Sequence, residues 1–276
     1  MLRFIAPALL LSAGLAFADD KTPAEIVGAG LQAAFVDFDA AALPAYFHED
    51  YIQHNPGVPT GLAAVQGFLP KLKDMGLAAD VHRFFADGDL VVVHSTYTNA
   101  QAFDSETMVA FDIFRVADGK IAEHWDNLMP VTPPNPSGRT LVDGPTEITD
   151  LKKTEANKAL VRGFAERILK GGEFDALPEF ISTEMYHQHN SQIADGLDGL
   201  AAGFASLAEA GVVIKYDTIH KVIGQGNFVL VMSEGALSGE PTAYYDLFRV
   251  ADGKIVEHWD VIQEIPAKMA HQNGKF

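Results

Sequence analysis

Two stretches of this chain read almost alike. Residues 112–127 are DIFRVADGKIAEHWDN and residues 246–261 are DLFRVADGKIVEHWDV, with 13 of 16 positions identical. In each, an Asp-Gly pair (Asp118-Gly119, Asp252-Gly253) separates runs rich in β-branched and aromatic residues, the pattern of a β-hairpin. Further out, Tyr51–Asn55 (YIQHN) is echoed by Tyr186–Asn190 (YHQHN), and more faintly Val81-His82-Arg83 by Ile219-His220-Lys221. The offsets of these pairs are 134, 135 and 138 residues. Such small drift confines insertions to loops. Two copies of so long a unit are a domain duplication rather than a solenoid.

Prolines and glycines crowd Pro130–Pro145 with no apolar periodicity, which marks a linker. The first unit is expected over residues 22–132, the linker over 133–149 and the second unit over 150–268. Each unit has the same order of elements. Thr22-Pro23-Ala24-Glu25 is a capping box with proline at the first helical position. Ile26, Leu31 and Phe35 then recur near one helical face, as do Ala156, Leu160, Phe164 and Ile168 in the second unit, where Gly171-Gly172 ends the helix. Short helices at about 40–47 and 174–180, and one after Gly61 and after Gly196, precede three strands in each unit. Helices first and an antiparallel sheet afterwards predict an α+β fold. Both hairpins carry apolar residues on both faces, among them Phe111, Ile113, Tyr245 and Leu247. An outward apolar face needs a partner, so the two sheets are expected to pack on each other as an internal pseudo-dimer. The chain would then be a monomer with that internal contact, or a homodimer.

The order of elements, the DIFR–DGKI–EHWD ending and the YIQHN segment resemble the SnoaL-like polyketide cyclase branch of the nuclear-transport-factor-like, ketosteroid-isomerase-like superfamily. The resemblance covers nearly the whole chain beyond its first residues. It implies two tandem cone-shaped α+β barrels, each a bent antiparallel sheet wrapped around helices with an apolar pocket. Members include aldol cyclases, isomerases, dehydratases and proteins that only bind ligands, so the fold alone leaves function open.

Asp112 is the first candidate for chemistry. Alternation places it with Ala110 and Phe114 on one strand face, and a carboxylate on an apolar face is costly unless paired. Burial would suit it to act as a general base for a C–H proton; alternatively it is a structural acceptor. The resemblance adds that family cyclases use an Asp near this hairpin, paired with a strand histidine. Asp246 occupies the same place in the second unit. His94 lies on the matching strand, where the second unit has Met232, so unit one is expected to hold an acid/base pair that unit two lacks. His54 with Asn55, and His189 in the second copy, are candidates to hold an oxyanion, or else they anchor loops. His82, His124, Trp125, His220, His258 and Trp259 are candidate ligand contacts, with core packing the competing reading for the tryptophans and for His124 and His258.

The balance of 37 acidic against 20 basic residues, net charge −17, speaks against nucleic-acid and anionic-membrane partners. There is no cysteine, so disulfides, thiolate catalysis and iron–sulfur clusters are excluded. No tight His/Asp/Glu ligand motif, phosphate-cradling Gly loop or Gly-x-Ser-x-Gly elbow is present, so neither a metal nor another cofactor is expected. The expected partner is a small apolar or carbonyl-containing molecule. Three functions compete: an acid/base enzyme acting next to a carbonyl, by aldol cyclisation or isomerisation; a non-catalytic periplasmic binding protein; and a stress or interaction protein in which the pseudo-dimer itself is the functional unit. Met1–Ala18 (MLRFIAPALLLSAGLAFA) has the basic start, apolar run and small-x-small end of a signal peptide, which predicts export to the periplasm and a mature chain beginning at Asp19.

Overall fold

The computed structural model describes residues 21–276; residues 1–18, expected to be a signal peptide, lie outside the described residues. Helix α1 (Pro23–Phe35) begins with the expected box: Thr22 Oγ1 accepts from Glu25 N, and Glu25 accepts in return from Thr22 N. Strand β1 (Phe47–Gln53) and helix α2 (Leu62–Met75) follow, then β2 (Ala78–Asp87), β3 (Leu90–Thr98), β4 (Thr107–Ala117) and β5 (Lys120–Pro130). The segment expected to be a short helix at about 40–47 is only a 3₁₀ turn at Leu43–Ala45.

The second unit repeats the series as α3 (Thr154–Phe164), α4 (Leu177–Phe180), β6 (His187–Gln188), α5 (Gly196–Glu209), β7 (Ile214–Gln225), β8 (Phe228–Leu237), β9 (Glu240–Ala251) and β10 (Lys254–Glu264). Helix α3 passes into a π turn at Ala165–Lys170 before the two glycines.

Each unit has one five-stranded sheet, ordered β1-β5-β4-β3-β2 and β6-β10-β9-β8-β7. The first strand of each pairs parallel with the last; all other pairs are antiparallel. The α+β expectation holds in both copies. One face of each sheet packs on its own helices: Ala110 and Phe114 join Leu31, Leu69 and Leu72 in unit one, and Phe248 and Val231 join Phe164 and Leu200 in unit two.

The opposite faces meet each other. Phe111, Ile113 and Trp125 of unit one share a core with Tyr245, Leu247 and Trp259 of unit two. The outward apolar faces are therefore covered internally, as the hairpins predicted. Asn127, fully buried, bridges this interface by donating to the carbonyls of Ala243 and Val261 at 3.0 and 2.7 Å.

Each hairpin is followed by an arm that crosses to the other unit. The linker reaches unit two, where His189 Nδ1 donates to the Thr140 carbonyl at 2.7 Å and Asn135 Nδ2 donates to the Gln188 carbonyl. The C-terminal arm reaches unit one, where His54 Nδ1 donates to the Gly274 carbonyl at 2.9 Å and Asn273 Nδ2 to that of Gln53, also at 2.9 Å.

His94 belongs to this inter-unit side. Its cross-strand neighbour is Phe111, while Val93 stands opposite Asp112. The expectation that His94 faces Asp112 is thus corrected by strand alternation. His94 is fully buried, stacks on Phe111 at 4.3 Å, and accepts from Arg83 Nη1 at 3.0 Å. Burial, with the charge of Arg83 and the neighbouring His82, holds its pKa well below the usual histidine value.

A depressed histidine pKa means the unfolded chain binds the proton first. The stability it supports is present above about pH 6.5 and is lost as pH falls. Replacing His94 by Met, the residue at Met232, should remove that loss. Unfolding free energies of wild type and His94→Met, from denaturant titrations, are expected to diverge between pH 7 and pH 5, with wild type losing more stability as pH falls. Parallel pH curves would contradict this.

Candidate functional site

The helix-facing side of each sheet ends in a cavity. In unit one it holds about 80 Å³ and is lined by apolar side chains including Phe35, Phe68 and Phe103, with Tyr51, Gln53, Asn55, Tyr97, Asp112, His124 and Asp126 at its polar end. In unit two it holds about 370 Å³, with Tyr186, Gln188, Asn190, Asp246, His258 and Asp260 in the same places and Tyr216 beside them from the neighbouring strand.

The polar end is built from the end of β1 and the residues just after it, and from β3, β4 and β5. Gln53 Oε1 accepts from His54 N at 2.9 Å and Asn55 N at 2.8 Å. Two backbone donors fix which end of the amide is the oxygen. That same oxygen lies 3.0 Å from His124 Nδ1, so Nδ1 carries hydrogen and donates to it. The other ring nitrogen, Nε2, is then left facing Asp112 Oδ1 at 3.1 Å. Two bare lone pairs would repel there, so one proton lies between imidazole and carboxylate. Tyr97 OH donates to Asp112 Oδ2 at 2.9 Å. Its pKa is driven well above the tyrosine range by burial and by the charge of Asp112. Asp126, the cross-strand neighbour of Asp112, accepts from Asn55 Nδ2 at 2.6 Å.

Unit two repeats this geometry. Gln188 Oε1 accepts from His189 N, Asn190 N and His258 Nδ1, each at 2.9 Å. His258 Nε2 faces Asp246 Oδ1 at 3.0 Å, and Asn190 Nδ2 donates to Asp260 Oδ2 at 2.7 Å. Burial opposes charge on His258, but the hydrogen bond to Asp246 and the charges of Asp260 and Asp246 outweigh it, and its pKa is raised. Burial raises that of Asp260, with the charge of Asp246 adding to it.

The units differ in two details. Tyr97 pairs with Ala79 across β2 and β3, whereas in unit two the tyrosine has moved to the neighbouring strand, Tyr216 opposite Gly235. Its hydroxyl reaches Asp246 only at 3.3–3.4 Å. A side chain at Gly235 would strike the Lys215 carbonyl, so the tyrosine cannot sit there. Second, the buried Lys275 Nζ of the C-terminal arm stands 3.6 Å from Asp126 Oδ1, an ion pair longer than a hydrogen bond, and donates to Gln263 at 2.7 Å. Burial lowers its pKa. The arm that crosses to unit two has Leu141 after Thr140, where the C-terminal arm has Lys275 after Gly274, and Leu141 packs into the inter-unit core.

Among the residues singled out in the sequence, Asp112, Asn55, His124, Asp246 and His258 come together at the cavities. His54 and His189 do not line them. His54 is pinned between Gly274 and Glu123 Oε1 at 2.9 Å, and His189 between Thr140 and Glu257 Oε1 at 2.9 Å. These rings hold the crossing arms and stack on Trp125 and Trp259, so the oxyanion expectation for them is corrected. The tryptophans themselves sit between the units, where Lys221 covers Trp125 at 4.4 Å and Arg83 covers Trp259 at 4.0 Å. His82 bonds Thr96, and His220 bonds Glu234 and stacks on Phe276. Asp126, Asp260, Gln53, Gln188, Tyr97 and Tyr216 were missed. The repeated EHWD ending and the Gln of both Gln-His-Asn triplets carried part of that signal.

In each unit the donor atoms of the Asp–His–Asp trio lie within 4.8 Å of one another, close enough to share one cation.

The model of the SnoaL-like domain matches residues 29–124 and again residues 161–258. Solved structures similar to one unit include TsrD from Streptomyces laurentii (20% identity, 38% of this chain and 87% of that one, TM-score 0.33). An NTF2-like protein of unknown function from Mesorhizobium loti is 25% identical over 39% of this chain and 90% of its own, TM-score 0.34. IdmH from Streptomyces antibioticus, a candidate polyketide cyclase, is 25% identical over 39% and 92%, TM-score 0.32. No curated protein matches the chain.

Proposed function

We propose, for a chain that belongs to the SnoaL-like domain family in both of its halves, that unit one is an acid/base site removing a proton next to a carbonyl, as in aldol cyclisation or isomerisation. The observation that carries this is the imidazole locked by Gln53 against Asp112 at the wall of an apolar cavity. Asp112 is the base. In the imidazolium–carboxylate form the pair presents a carboxylate to the substrate carbon, and His124 compensates its charge until the proton arrives. His124 thus takes the part expected of His94. The Tyr51 hydroxyl accepts a 3.4 Å bond from Gln53 Nε2, which leaves its own proton for the carbonyl oxygen and the enolate formed from it. The apolar walls exclude water and suit a small carbonyl compound. This chemistry asks for no cofactor.

The test is solvent deuterium exchange, followed by NMR, at the carbon next to the carbonyl in a panel of small ketones, aldehydes and 1,3-dicarbonyls. Wild type should catalyse exchange on at least one. Gln53→Leu, which frees the ring to take the other tautomer, should slow it at least about tenfold. Saturable binding without exchange by any member would replace the enzyme with the binding protein.

We propose further that the chain acts after export. Mass spectrometry of the protein from its native host should find Asp19 at the N-terminus; an intact Met1 in the cytoplasm would contradict this.

A further inference from the structure

We infer that the Asp246–His258–Asp260 trio of unit two is a binding site for a divalent transition cation, and that Lys275 fills the corresponding place in unit one. Asp260 is 94% buried by its 6% exposure, yet its Oδ1 has no hydrogen-bond partner among the described residues. A buried carboxylate oxygen without a partner is costly. In the duplicated unit Asp126 Oδ1, the equivalent oxygen, likewise has no hydrogen-bond partner, but the ammonium of Lys275 stands 3.6 Å from it and supplies the opposite charge. Unit two has Leu141 at that step of its crossing arm, so its trio is one positive charge short.

The ligands are already oriented. Gln188 holds the hydrogen of His258 on Nδ1, which directs the Nε2 lone pair toward Asp246. Asn190 steadies Asp260 through its other oxygen. Such outer hydrogen bonds orient metal ligands generally. The 3.0 Å between His258 Nε2 and Asp246 Oδ1 is the separation of two ligands each about 2 Å from one ion. One imidazole nitrogen and two carboxylates suit Zn²⁺, Mn²⁺ or Fe²⁺. The cavity of about 370 Å³ leaves room for further ligands, a water or a substrate oxygen. On binding, the cation replaces the proton shared by His258 and Asp246, which leaves to solvent. The inference does not rest on the proton chemistry of unit one, since it is read by binding alone.

The test is calorimetric titration of the chelator-treated full chain with Zn²⁺ and, separately, Mn²⁺. One cation per chain is expected. Asp260→Asn should weaken binding on the order of 100-fold or more. Lys275→Met should raise the stoichiometry from one to two, while Lys268→Met, at an exposed position, leaves it at one. Electron-spin-echo spectra of bound Mn²⁺ should show a single histidine nitrogen, a readout that needs no variant. Failure of wild type to bind either ion at millimolar concentration, or a spectrum without histidine nitrogen, overturns the site. So does unchanged affinity in Asp260→Asn. A stoichiometry of one in folded Lys275→Met overturns the role given to the lysine.

Discussion

Replacing Asp112 by Asn is expected to slow proton exchange next to the substrate carbonyl by about 10²–10⁴-fold, the usual loss when a general base is removed. The amide is nearly isosteric, and its nitrogen or oxygen can still meet Tyr97 and His124, so the fold should survive. A thermal melt checks that. Asp246→Asn should cost far less of the same activity, since it alters the other cavity across the inter-unit core. His94→Met should leave the rate unchanged, because that ring points away from Asp112. Equal loss with Asp112→Asn and Asp246→Asn would move the chemistry into both units, and retained exchange in Asp112→Asn would remove Asp112 from it.

The largest stability effect is expected from Trp259→Ala, about 3–5 kcal/mol. Trp259 is fully buried in the core shared by the two sheets. It stacks on His189 at 4.6 Å, lies under the Arg83 guanidinium, and donates from Nε1 to the Asp143 carbonyl at 3.0 Å. Arg83 in turn holds the linker by donating to the carbonyls of Val142, Asp143 and Pro145. Truncating the indole therefore opens a cavity, removes one of the two hydrogen bonds to the Asp143 carbonyl and uncovers a buried cation together. Chemical denaturation should show one cooperative transition in wild type and in the variant, shifted to lower denaturant. A loss under about 1 kcal/mol, or two separate transitions, would mean that the units do not share a core in this sense.

The duplication, the α+β order, the Asp-Gly hairpins and the covered outer faces were legible because each rests on local sequence: a turn dipeptide, a two-residue alternation, a repeat. Asp112 was legible for the same reason, as a carboxylate between apolar neighbours on a strand. The sequence leaves His124 between ligand contact and core packing because β5 is buried on both faces from His124 to Leu128, and alternation then gives no sign of which face is the cavity. A register shift between Arg115 and Val116 adds to this. His94 was misjudged because its partner, Arg83, comes from the neighbouring strand and is itself buried. Lys275 was invisible in principle. It lies 149 residues from Asp126 along the chain, and nothing local in the C-terminal arm says where that arm docks.

The most direct measurement is the protonation of the His124 ring, by ¹⁵N-edited NMR of histidine-labelled protein assigned with His124→Gln. The predicted spectrum has hydrogen on Nδ1, bonded to Gln53, and a strongly deshielded second proton at Nε2 that disappears in Asp112→Asn. A bare Nδ1, or an Nε2 signal indifferent to Asp112→Asn, would contradict a proton shared between His124 and Asp112.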